Sequence, residues 1–450
     1  MELANLTQVG RQDIKWKQAN IKKGNKMKNR ILFLIAVLTS FMAFSQYGLD
    51  AEITDIESKV IEWRRDFHQN PELSNREFKT AKKIAAHLKS LGIEVQTGIA
   101  HTGVVGLLKG DLPGKVLALR ADIDALPVYE RTDLPFKSKI TSTFGGQNVG
   151  VMHACGHDAH IAILMGVAEI LSKNKDKIKG TIKFIFQPAE EGAPVGEEGG
   201  AKLMIKEGVL ENPKVDAIFG LHIGSGQTAG TLTYKPGGVM AAAQRFEINI
   251  TGKQTHGSRP WAGIDPIMAS VKIIDGLQTI VSREMALTQE AVVISVGKIT
   301  SGVRNNIIPE TAQIIGTIRT LDYEMQTKIN QRMKEMVPAI AKAYRAEATI
   351  DIAEGVPITY NHLLLTEQML PSLEKAAGKE NVQIIKAITG AEDFSFFQEK
   401  IPGLYFFLGG MTPGNKEDFP HHTPDFFINE SGMLLGVKTF IQLSLDYLNN

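Results

Sequence analysis

Between residues 103 and 223 the chain alternates two kinds of stretch, and this alternation restricts the fold more than any other feature. "VVGLLKG", "KVLALRADID", "GTIKFIFQ" and "VDAIFGLHI" are short, nearly continuous apolar runs. Interleaved with them, "HIAILMGVAEILSKN" and "GAKLMIKEGVL" carry apolar residues at helical spacing. Strands that are apolar along their whole length are buried on both sides, and helices between them supply the crossovers of parallel pairing. The expected fold is therefore α/β, a mainly parallel sheet with helices on both faces. Upstream, "DIESKVIEWRRDFHQNPELSNREFKTAKKIAAHLKSLG" reads as two amphipathic helices broken at Asn70–Pro71.

From about residue 240 the pattern changes. "RFEINITGK", "AVVISVGKIT", "TAQIIGTIRT" and "EATIDIAE" alternate in polarity, as strands with one wet face do. Two long helical stretches, "DPIMASVKIIDGLQTIVSRE" and "YEMQTKINQRMKEMVPAIAKAYR", fall between them. The order βαββαβ is that of a ferredoxin-like α+β unit. The buried-strand style then returns with "NHLLLTEQMLPSLEKAAG" and "IPGLYFFLGG". The expected organisation is a catalytic domain in two parts, 46–239 and 354–450, interrupted by an inserted lid or dimerisation domain at 240–353.

The N-terminus reads separately. Lys28, Asn29 and Arg30 precede the apolar run "ILFLIAVLTSFMAF", with Ala43 and Ser45 at the −3 and −1 positions of a cleavage site. That is the pattern of a signal peptide, with Met27 as the natural start and 1–45 as extension plus leader. The expected location is periplasmic or secreted, with an N-terminal membrane anchor as the alternative. The chain has 50 Lys+Arg against 49 Asp+Glu, and residues 1–45 hold eight of the basic residues but only two of the acidic ones. The remainder is mildly acidic without a basic stripe, which argues against nucleic acid as a partner.

Cys155 is the only cysteine, so disulfide frameworks and all-cysteine metal sites are excluded. It lies in "MHACGHDAH" with His157, Asp158 and His160. Four further segments bring similar side chains to strand ends or loops: Asp122 and Asp124 in "LRADIDALP", Glu190 and Glu191 in "FQPAEEG", His222 in "GLHIG", and His421 and His422 in "PHHTPDF". Taken singly, each reads as ordinary structure: a capped helix, a solvated loop, a small buried thiol. Together, on a sheet whose strand ends lie side by side, they point to a metal centre. Thiolate, imidazole and carboxylate donors suit zinc, with manganese or cobalt also compatible. In a pair of adjacent glutamates one can bind metal while the other moves protons. The chain has no GxSxG, HExxH or Walker-type sequence.

"LRADIDALPV", "MHACGHDAHIA", "FQPAEEG", "GLHI", "GAEDFSFF" and "HTPDF", in that order, resemble metallopeptidase family twenty, the zinc-dependent aminoacylase and carboxypeptidase group. They are most similar to its subfamily D amidohydrolase branch, over the chain from about residue 55 onward. The resemblance implies metal-dependent hydrolysis of the amide in N-acyl amino acids, with two divalent ions per subunit. It further implies Cys155, His157, Glu191, His222 and His422 as ligands, with His421 the alternative to His422, and Glu190 as general base. By the same resemblance His256 in "GKQTHGSRP" reaches the scissile carbonyl, Asn306 in "NNIIP" touches substrate, and the inserted domain pairs two subunits. Asp122 and Asp158 are expected to orient imidazoles from behind. Gln254–Thr255 and Gln244 depart from the family's usual residues, which leaves substrate preference open. The alternatives are a dipeptidase or carboxypeptidase of the same fold and a binding protein that has lost its chemistry.

Overall fold

The computed structural model describes residues 47–416 and 419–450, so the expected leader lies outside the described residues. An eight-stranded sheet dominates it. Its strands are β1 (Glu94–Ile99), β2 (Gly103–Lys109), β3 (Leu112–Asp122), β4 (Lys179–Gln187), β5 (Ala217–Thr228), β6 (Leu232–Tyr234) and, late in the chain, two more. The four central strands run parallel: β4, β3, β5 and Gly403–Met411, in that order across the sheet. Pairing turns antiparallel on both flanks, at β2 with β4 and at β6 with Gly403–Met411.

Both faces of the central strands are covered. On one, Ala118, Ile185, Ile218, Tyr405 and Phe407 join the core built on the short helix Gly200–Lys206. On the other, Phe219 meets Tyr447 and Phe406 meets Phe440 of the C-terminal helix Met433–Asn449. Double-sided burial is why these strands read as unbroken apolar runs rather than alternating ones. The two helices expected at the start are α1 (Glu57–Gln69) and α2 (Phe78–Ser90), with Asn70 at the C-cap of the first. Helix α3 (His157–Lys173) packs against α1 and is buried along nearly its whole length.

The interrupting segment builds its own antiparallel sheet from β7 (Ala242–Thr251), β8 (Val292–Ser301), β9 (Thr311–Thr320) and β10 (Glu347–Ile352), in the order β8-β9-β7-β10. Helices α4 (Pro266–Thr279) and α5 (Tyr323–Ala343) cover one face, giving the chain order βαββαβ. Phe246, Ile248, Ile273, Leu277, Ile314 and Ile329 lie in a core cluster of their own. After it, β11 (Val382–Ile384) and β12 (Gly403–Met411) complete the large sheet.

Candidate metal centre

Parallel strands deliver their C-terminal ends to one edge of the sheet, and the polar segments sit there. Asp122 ends β3, the turn Ala189–Glu190–Glu191 follows β4, and His222 lies in β5. Cys155 and His157 arrive on the turn into α3. Gly156 between them has φ +94°, and a Cβ there would stand 2.5 Å from a methyl of Ile223. Only glycine lets the chain turn so close to β5. His422 comes in from the loop before the C-terminal helix, also with positive φ.

The side chains converge. Cys155 Sγ is 3.4 Å from His222 Nε2, 3.3 Å from His422 Nε2 and 3.5 Å from His421 Nδ1. His422 Nε2 also lies 3.0 Å from Glu191 Oε1. Three overlapping sets, Cys155–His157–His222, Cys155–Glu191–His422 and His157–Glu190–Glu191, each hold their donor atoms within 4.8 Å of one another. His421 Nε2 accepts from the Ser225 N–H at 3.3 Å and its Nδ1 faces Cys155, whereas His422 Nε2 touches both the thiol and Glu191.

The nitrogens that face away fix which lone pairs face in. His157 Nδ1 donates to the Asp124 carbonyl at 2.9 Å, and its Nε2 is buried with no hydrogen-bond partner. His222 Nδ1 donates to the Ile223 carbonyl at 2.8 Å, leaving Nε2 toward Cys155. His160 is different: Nδ1 lies 2.6 Å from Asp122, and Nε2 accepts from the Ile223 N–H at 2.8 Å. Both of its nitrogens are occupied, so it buttresses the site without offering it a lone pair.

Asp122 thus orients His160, and the residue behind His157 is Asp124, two places on in the same motif. Asp158 turns away from the cluster and pairs with Arg64 Nε and His68 Nδ1, each at 2.8 Å. It does not cap the helix it begins.

A further group was not anticipated from the sequence. Arg120, fully buried on β3, donates to Gln187 at 2.8 Å, Asp122 at 2.7 Å, Glu392 at 2.9 Å and Asp393 at 3.0 Å. Tyr405 donates to the other oxygen of Glu392. Glu392 and Asp393 belong to "GAEDF", and the Asp393 N–H lies 3.5 Å from Glu190 Oε1. One guanidinium therefore ties the end of β3, the end of β4 and the loop facing Glu190 together. Its position in "LRADID" marked a strand end, but its partners lie as far as 273 residues away.

The electrostatics fit a bound cation. Burial, then Glu191 and Glu190, push the Cys155 thiol well above its ordinary pKa. Burial, then Glu392 and Glu191, push the Glu190 carboxyl well up. Burial opposes a charge on His157, but Asp122 and Asp124 outweigh it and raise the ring to about 10. Burial, then His160, hold His222 well below its usual value, so its ring is neutral. A divalent ion would relieve the crowded acids and deprotonate the thiol. The orphaned Nε2 of His157 and the mixed S, N and O donor set both match such an ion.

These donors open onto a cavity of about 790 Å³. Cys155, Glu190, Glu191, His222, His421 and His422 form its polar end, and Met240, Val356, Ile385, Ile388 and Phe407 its apolar wall. Arg319 from β9 also lines it. His256 and Asn306 do not. They lie together in the interrupting segment, where strand Thr255–His256 pairs with Ile307–Ile308, and the side chain of His256 is exposed.

Comparison with known proteins agrees with this geometry. The description "Peptidase family M20/M25/M40" matches residues 118–446. Thermostable carboxypeptidase 2 of Saccharolobus solfataricus is 42% identical over 403 residues, covering 89% of this chain and 98% of the relative. An N-acetylcysteine deacetylase of Bacillus subtilis is 39% identical over 394 residues, covering 87% and 97%. A solved structure from Bacillus subtilis, described as a dinuclear metal binding peptidase from the M20 family, superposes with a TM-score of 0.74. It is 36% identical and covers 88% of this chain and 99% of its own.

These relatives correct the expectation of an exported or membrane-anchored protein. The carboxypeptidase and the deacetylase are matched over 98% and 97% of their own lengths by 89% and 87% of this chain, so the similarity that identifies the family lends no support to export. The run 31–44 that carried the expectation lies outside the described residues, and no described helix is long and apolar enough to cross a membrane. A basic start followed by an apolar stretch is a composition signal, and composition alone does not establish export.

Proposed function

Since the chain belongs to peptidase family M20/M25/M40 and is a metal-dependent hydrolase of amide bonds, we propose that its substrate is an N-acyl amino acid. The observation that carries this reading is Arg319. Its guanidinium lines the cavity half-buried and makes no ion pair among the described residues. A planar cation in a partly dry site is a receptor for a carboxylate. The apolar wall of Met240, Val356, Ile385, Ile388 and Phe407 suits an acyl group or an apolar side chain.

In this reading Cys155, His157, Glu191, His222 and His422 hold two divalent ions, zinc or manganese, with cobalt a further candidate. Such ions supply Lewis acidity to the amide carbonyl and make water nucleophilic near neutral pH. Glu190, beside the ligand set, takes a proton as water adds to the carbonyl carbon. It returns that proton to the nitrogen as the C–N bond breaks, releasing a carboxylic acid and a free amino acid. Its raised pKa suits a group that must both accept and donate.

A carboxypeptidase is the second reading, favoured by the 42% identical relative. Both substrates end in a carboxylate, and they differ in whether a free α-amino group is tolerated. A panel of hippurate, N-acetyl amino acids, an indoleacetyl conjugate and dipeptides separates them. Arg319→Met is expected to lower kcat/KM by roughly 30-fold on every carboxylate-bearing member, mainly through KM. A neutral carboxamide analogue should lose little. Equal losses on both would remove Arg319 as the carboxylate receptor.

The interrupting segment supports a homodimer. Strand β8 is an edge strand, and Ile267, Met268 and Val271 on α4 are exposed apolar residues beside it in the same unit. His256 and Asn306, absent from their own chain's cavity, are assigned to the site of the partner copy. Co-expression of Glu190→Gln and His256→Ala chains should then restore turnover that neither variant has alone. Mixed dimers without activity would rule out a His256 supplied by the partner copy, and a His256→Ala chain active on its own would place His256 outside the reaction.

A further inference from the structure

Glu77 stands at the N-cap of α2 and yet does not cap it. The open N–H groups of Lys79 and Thr80 are taken by Glu72 Oε2, at 2.8 and 2.9 Å. The Glu77 side chain instead turns inward and is completely buried. Burying a carboxyl is costly unless it is fully hydrogen-bonded, so its partners indicate what it is for. Thr102 Oγ1 donates to Oε2 at 2.5 Å, and the backbone N–H of Ala189 donates to Oε1 at 3.0 Å.

Ala189 immediately precedes Glu190. It has φ +52°, a left-handed conformation that an alanine leaves unless its surroundings hold it. One residue past Glu190, the Glu191 N–H donates to Asp124 Oδ2 at 3.0 Å, and Ser74 fixes that oxygen from the other side at 2.8 Å. The Pro188–Ala189 and Glu190–Glu191 peptide groups, which bracket Glu190, are therefore anchored to two buried carboxyls from distant parts of the chain. With the backbone pinned on both sides, the direction in which Glu190 leaves the turn is set.

We propose that Glu77 is a positioning residue for Glu190: by holding the Ala189 N–H it keeps the left-handed turn that presents the Glu190 carboxyl to the cavity. Glu77 touches neither the cavity nor any proposed ligand side chain, so its effect falls on the placement of the proton carrier. The proposal rests on the reading of Glu190 as that carrier. Burial, then the charge of Asp124, raise the Glu77 pKa to about 8, so glutamine resembles the form that prevails at neutral pH.

The test is steady-state kinetics of Glu77→Met and Glu77→Gln, with metal content and thermal melting measured on each. Methionine fills the space but cannot accept from Ala189. It should lower kcat by about 10- to 100-fold, with KM within roughly threefold and metal content unchanged. Glutamine keeps an accepting oxygen, with Thr102 turning its hydroxyl, and should recover kcat to within about threefold. A methionine variant that melts earlier but keeps its kcat would overturn the proposal, as would a glutamine variant that falls as far as methionine. If Glu77→Met fails to fold, Thr102→Val replaces it, since it leaves the carboxyl but removes its anchor. A kcat loss of about threefold or more, with KM steady, supports the proposal, and an unchanged kcat overturns it. Glu190→Gln assayed in parallel separates the two readings: if that variant stays active, the role of Glu190 fails first and on its own.

Discussion

Replacing Glu190 with glutamine is expected to lower kcat by about 10³-fold, while KM and bound metal stay close to wild type. The substitution is nearly isosteric, and glutamine can neither take a proton from water nor return one to a leaving nitrogen. Glu190 stands 3.9 Å from His157 Nε2 and beside Glu392 and Asp393, one residue before the proposed ligand Glu191. Removing its charge therefore leaves the donor set Cys155, His157, Glu191, His222 and His422 complete. The same exchange at Glu191 should act in the opposite order, with metal lost first and turnover lost because of it. Elemental analysis and steady-state kinetics on the two variants distinguish them. If Glu190→Gln keeps its turnover, another group carries the proton. If it loses its metal, Glu190 is itself a ligand.

Chelation is expected to have the second large effect, abolishing turnover and lowering Tm together, with both restored by zinc or manganese. An ion present at about 100 times its dissociation constant stabilises the folded state by roughly 2.7 kcal/mol. In this site the loss has a particular physical origin. A thiol and several carboxyls lie within a few ångströms of one another, and burial raises the pKa of Cys155 and Glu190. Groups whose pKa is higher folded than unfolded bind more protons in the native state. Their contribution is complete below the unfolded carboxylate range, near 4.5 for Glu190, and is lost as pH rises above it. The metal-free protein should therefore lose stability as pH rises through neutrality, and the reconstituted protein should lose less. Melting curves against pH for both forms check the sign. A metal-free protein as stable and as active as the loaded one would remove the metal from the account.

What the sequence could and could not tell divides along physical lines. The convergence of Glu191 and His222 was legible because one follows and the other lies in an apolar run, and parallel strands bring such ends together. Cys155, His157 and His422 come from a helix turn and a loop and were expected beside them only through the family resemblance. The βαββαβ order was legible because period-2 strands and long helices differ in hydrophobic spacing. Which lone pair faces the centre was not legible. His160 looks as good a ligand as His157, and only the Ile223 N–H on its Nε2 separates them. Asp122 and Asp124 differ by two places on the same strand end, so choosing which one stands behind His157 needed coordinates. Arg120, Glu392 and Glu77 escaped notice for a common reason. Each has a partner more than 100 residues away, and nothing local marks a buried charge that answers to another part of the chain.

The most direct test of the central claim is to load the purified chain with zinc or manganese, count bound ions by elemental analysis, and follow release of free amino acid from hippurate and N-acetyl amino acids. The account predicts two ions per chain and amide cleavage that depends on them. A chain that retains no metal after reconstitution and releases no amino acid from any of these substrates would contradict it.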